Sequence, residues 1–69
     1  YACRAAELAE LGKEGLAVIG TAWAGKPWSD VLPPGTCVRI FTGAPVPLGC
    51  DSVLPQEELR REGDRIFAE

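Results

Sequence analysis

The sequence contains no histidine, and that absence alone excludes every Ser-His and Cys-His nucleophile arrangement. Its three cysteines, Cys3, Cys37 and Cys50, are odd in number and far from any C-x-x-C spacing. With no imidazole to complete a tetrahedral set, no metal ligands are expected in this chain. The cysteines read instead as reduced thiols of a cytoplasmic protein, each acting as a small hydrophobe. A basic stripe is also missing: the seven Lys and Arg are scattered except for the neighbours Arg60 and Arg61, and the net charge is −3. That balance argues against nucleic acid as a partner. It also places most groups that would hold an anionic substrate outside this piece. No apolar run approaches the roughly 18 residues that cross a bilayer, and no charged-then-apolar signal peptide opens the chain. No membrane partner is expected.

What is present is an ordinary globular composition, 46% hydrophobic and 25% charged, which does not suit a disordered chain. Eight glycines and six prolines in 69 residues favour turns and short strands over long helices. The expected fold class is mainly β: a small irregular β domain of short, bent strands with one short N-terminal helix, residues 1–69 forming a single domain. A chain of this size buries only ~60% of its unfolded surface, so its stability alone is expected to be marginal. Tyr1 in first position reads as a fragment of a longer multidomain chain or a processed one.

Residues 4–11, RAAELAEL, place Ala5, Leu8 and Ala9 on one helical face with Leu11 nearby, and Gly12 follows as a stop. A strand is expected over 16–23, beginning with the apolar run Leu16–Ile19. Trp23 and Trp28 flank the turn after it, and their apolar area covers the core or meets a neighbouring domain. Pro33-Pro34-Gly35 makes a second turn, and Thr36 to Phe41 is the best strand signal. Its alternation puts Cys37, Arg39 and Phe41 on one face and Val38 and Ile40 on the other. An arginine in that setting is either paired or at an interface. Pro47, Leu48 and Gly49 fit the second to fourth positions of a type I turn. Ser52–Leu54 form a short strand that Pro55 places at an edge or ends, and Glu57–Phe67 suggest a hairpin turning at Glu62-Gly63-Asp64.

Two stretches invite a functional reading. GTAWAGKP, residues 20–27, comes within one residue of a phosphate-binding loop. Pro27 stands where the Mg²⁺-ligating hydroxyl belongs, and no helical periodicity follows, so no helix terminus faces a phosphate. The nucleotide-hydrolase reading is set aside. RIFTGAPVPLG, residues 39–49, is the more constrained loop: Thr42 ends a strand with Gly43 beside it, so its hydroxyl can project while backbone approaches a ligand closely. The bland alternative is that Thr42 only satisfies its own turn. Glu57 and Glu58, adjacent in an expected strand, point to opposite faces and read as a solvated edge.

PGTCVRIFTGAPVPLGCDSVLPQEE resembles, almost position by position, a segment of the molybdopterin molybdenumtransferases of the MoeA type, which include the catalytic domain of gephyrin. Gly20, Ala24, Gly25 and Pro27 are similar to a G-x-x-x-AG-x-P pattern of that family, and Tyr1-Ala2 followed by Arg4, Ala5 and Ala6 looks like the tail of its DGYA motif. Leu48 departs from a position usually charged or polar there, and Pro55 from one usually apolar. The resemblance implies a step of molybdenum cofactor biosynthesis, the insertion of molybdate into adenylated molybdopterin with release of AMP and use of Mg²⁺ bound mainly outside this fragment. It further implies a homodimer in which this β domain, inactive alone, lends a loop to the partner's active site. Thr42 carries over as the catalytic-site polar group, with Gly43 allowing close approach of substrate and Arg39 holding the loop or an anion. The contrasting reading is a stand-alone protein-interaction module whose acidic edge, Glu57, Glu58 and Glu62, and tryptophans dock a partner.

Overall fold

Backbone hydrogen bonding divides residues 1–68, which the computed structural model describes, into β1 (Ala2–Cys3), α1 (Ala5–Leu11), β2 (Leu16–Ala22), β3 (Thr36–Ile40), β4 (Ser52–Val53), a 3-10 turn (Gln56–Glu58), β5 (Leu59–Glu62) and β6 (Arg65–Ala68). The strands form one six-stranded sheet in the order β4-β1-β3-β2-β6-β5. The fold is mainly β with one short helix, as its glycine and proline content leads one to expect. β2 and β3 pair in parallel and all other neighbours are antiparallel.

β3 is buried on both faces because small cores lie on either side of it. One contains Tyr1, Cys3, Leu16, Cys37 and Ile66; the other contains Ala2, Ala22, Leu32 and Val38. The alternation Cys37/Val38 divides β3 between them, and Ala2/Cys3 divides β1 in the same way. β2 serves both cores by another device. Ala17 and Val18 pair with Thr36 and Cys37, whereas Thr21 and Ala22 pair with Arg39 and Ile40, so β2 carries an extra residue between Val18 and Thr21. This bulge turns the strand over: Leu16 faces the first core and Ala22, an even number of residues later, faces the second. Gly20 lies in the bulge, where a Cβ would come within 2.5 Å of Cζ3 of Trp28, which covers the second core.

Several sequence expectations need adjusting. In α1 only Leu8 of the anticipated face packs, against the first core, while Ala5 and Ala9 are exposed; the side chain of Leu11 lies outside what is described. β2 stops at Ala22, and Trp23 joins the following hairpin. The turn expected at Pro47–Gly49 falls one residue later. Cys50 N–H donates to Pro47 C=O (3.2 Å), which puts Gly49 third in the turn at φ +89°, a type II requirement that a type I reading misses. Gln56–Glu58 form the 3-10 turn rather than strand, and Glu62 pairs with Arg65 inside the hairpin, leaving Gly63-Asp64 as its tip. β4 is an edge strand followed directly by Leu54 and Pro55, as the proline demanded.

Candidate functional site

The parallel strands β2 and β3 end side by side. Phe41 N–H donates to Ala22 C=O (3.1 Å), which sets Trp23 next to Phe41 with ring centroids 4.5 Å apart and planes 8° from parallel. The Arg39 guanidinium, on the face the alternation assigned it, lies 4.9 Å from the same Phe41 ring. Arg39 is exposed and makes no ion pair among the described residues, so of the two possibilities open to it, pairing is the one not realised.

The chain then reverses through Phe41-Thr42-Gly43-Ala44. Ala44 N–H donates to Phe41 C=O (3.0 Å), and Gly43 sits third at φ +90°, a type II turn that a β-carbon would strain. The backbone alone closes this turn. Among the described residues the exposed Thr42 hydroxyl makes no hydrogen bond to protein. Gly43 faces the neighbouring hairpin, where Ala24 Cβ would lie 3.4 Å from an added Cβ.

Thr42 stands between two depressions. One, a cleft of about 380 Å³, is lined by Arg39, Phe41, Thr42, Leu54, Gln56 and Glu57 among others. The other, about 270 Å³, borders Gly43, Ala44, Val46 and Val53. The structure thus brings Arg39 and Thr42 into one cleft and puts Gly43 at the adjoining one. The far wall of the first cleft is tied to the sheet, since Leu54 N–H donates to Tyr1 C=O (2.8 Å), and Arg61 donates to the Tyr1 phenol oxygen (2.9 Å).

Gln56 and Glu57 are the residues that the sequence reading missed in this cleft. Glu57 lines it while Glu58 does not: the 3-10 turn that replaces the expected strand points successive side chains roughly 120° apart. The sequence signals the turn, though not its place in the cleft: Pro55 followed by acidic residues is a helix-start pattern. The remaining acidic edge is partly neutralised, since Glu62 is ion-paired with Arg60. Among the described residues there is no group of three or more His, Cys, Asp or Glu that could hold a metal ion, and no helix long and apolar enough to cross a membrane.

GTAWAGKP forms the end of β2 and a tight hairpin. Trp23 N–H donates to Lys26 C=O (3.0 Å) and Lys26 N–H to Trp23 C=O (3.1 Å), leaving the exposed Lys26 at the hairpin end with no helix after it. The geometry of a phosphate loop is not formed.

Over residues 1–69 the chain matches the family described as the MoeA N-terminal region (domain I and II). It is 41% identical over 56 residues to the molybdopterin molybdenumtransferase of Haemophilus influenzae, covering 78% of this chain and 14% of that protein. It is 44% identical over 52 residues to the protein of that name from Nostoc sp., covering 75% and 12%. The corresponding Synechocystis sp. protein is 38% identical over 48 residues, covering 70% and 12%. The chain therefore spans roughly an eighth to a seventh of the length of the curated relatives it matches.

Proposed function

The chain belongs to the MoeA N-terminal region family, and from that premise we propose that it is the β-rich part of a molybdenum cofactor biosynthesis enzyme. The reaction is insertion of molybdate into adenylated molybdopterin with release of AMP, carried out by the longer parent as a cytoplasmic homodimer. This domain is inactive alone and lends its TGA turn to the active site. The observation that carries the reading is the Thr42 hydroxyl, without a hydrogen bond among the described residues, at the lip of a cleft shared with the Arg39 guanidinium, which has no ion pair among them. In that role Thr42 meets the substrate, Arg39 attracts its anionic part, and Gly43 keeps the turn low enough for close approach. The described residues do not fit a Mg²⁺ site, for they offer no ligand cluster. A divalent ion used by the reaction takes its ligands from the rest of the parent.

The stand-alone interaction module has less support, because its acidic edge is broken by the Arg60–Glu62 pair and by Glu57 turning into the cleft. The test is Thr42→Ala in the full-length parent. Molybdate insertion should fall about tenfold or more with an unchanged melting temperature, as for loss of one polar contact made in the transition state. Unaltered turnover would remove Thr42 from the site.

A further inference from the structure

The first cleft carries two polar sets on opposite walls. Arg39 and Thr42 come from the end of β3 and its turn, whereas Gln56 and Glu57 come from the 3-10 turn. Arg39 and Glu57 line the same cleft without pairing: among the described residues, neither takes part in an ion pair or a side-chain hydrogen bond. A cation and a carboxylate held apart and both exposed to solvent, the guanidinium resting over the Phe41 ring, suit a ligand of mixed character. It needs an anionic group for the guanidinium and a planar edge of N–H donors for the carboxylate, which accepts two parallel N–H bonds.

We propose that Glu57, assisted by the Gln56 carboxamide, is a substrate-positioning residue that reads the N–H-bearing edge of the pterin ring while Arg39 takes a phosphoryl or oxyanion group of the same molecule. This rests on the family reading above and specifies which part of the substrate meets this domain. A 2-amino-4-oxo pyrimidine edge presents an amino group and a ring N–H side by side, the pattern a carboxylate matches. The adenylate half meets other parts of the parent.

The experiment uses the full-length parent with adenylated molybdopterin as substrate. Glu57→Gln keeps shape and one acceptor but turns an –NH₂ toward the ring N–H, so KM for adenylated molybdopterin should rise about tenfold at nearly constant kcat. KM for molybdate and inhibition by added AMP should not change. Glu58→Gln, one residue along the same turn but outside the cleft, should behave as wild type. If AMP inhibition weakens as much as pterin binding, the assignment to the pterin edge is overturned. If Thr42→Ala lowers turnover while Glu57→Gln leaves KM unchanged, this inference fails and the site reading stands. If neither substitution has any effect, both fail.

Discussion

At the scale of single residues, two acidic side chains order the chain by accepting backbone N–H groups, Glu7 that of Gly35 and Asp51 that of Ala5. Asp51 is the clearer case. Its Oδ1 accepts the Ala5 N–H that opens α1 (3.0 Å) and the Ser52 hydroxyl (2.9 Å), so a loop residue caps a helix whose own Arg4 supplies no cap. These bonds favour the ionised form, the Ala5 N–H most and the Ser52 hydroxyl next, and hold the Asp51 carboxyl below its ordinary range. A folded-state value below the unfolded one contributes stability above the ordinary carboxylate pKa of ~4, and loses it as pH falls through the folded value. The stability of the protein should therefore drop more between pH 6 and 3 in wild type than in Asp51→Asn, read from urea midpoints at each pH. Equal slopes would show that the cap does not distinguish the two ionisation states.

At the scale of elements, the crossover between the parallel strands is the unusual part, because residues 23–35 make it without a helix. Arg4 holds its far end. One guanidinium nitrogen donates to Leu32 C=O (2.6 Å), another faces the Glu7 carboxylate (3.4 Å), and Glu7 in turn accepts the Gly35 N–H (3.0 Å). Gly35 C=O then receives the Ala17 N–H (3.0 Å), so the clamp reaches the start of β2. Arg4→Met keeps the aliphatic stem and removes the donors, which should cost about 1–3 kcal/mol. The Ala17 amide should exchange faster with solvent than in wild type. Retained protection at Ala17 would mean that the strands hold the crossover unaided. The crossover also marks where the sequence stops being legible. β2, β3 and the β5–β6 hairpin are local, and their apolar runs and turn residues declare them. Parallel pairing depends on the irregular return through Leu32, which no periodicity announces. The bulge at Gly20 breaks the alternation by which faces are assigned, so Ala22 could not be placed from Leu16. Arg39, Thr42 and Gly43 were legible because one strand and one turn hold them. Glu57 was not, since its place beside Thr42 requires β4 to fold back along β1.

At the scale of the whole molecule, two thin cores share β3, and no single one is large enough to stand apart. Cys37 lies at the centre of this arrangement, fully buried with Cys3 in the first core, while Cys50 is only half-buried. Burial, the largest cause, pushes the Cys37 thiol up from 9.0 to about 12, and burial raises Cys3 and Cys50 as well. A folded-state value above the unfolded one means that the neutral thiol's contribution is complete below pH 9 and is lost as pH rises toward 12. Denaturation midpoints of the protein should thus fall across that interval, and Cys37→Ala, less stable at neutral pH, should show a shallower fall over the same range. Thiol labelling gives an independent reading at pH 7. Cys50 should react first, whereas Cys3 and Cys37 should stay protected until the sheet unfolds, and should then react together along the same denaturant curve as the loss of circular dichroism. Early labelling of Cys37, alone or at the rate of Cys50, would show that the first core opens without the second and that β3 does not bind the two into one cooperative unit.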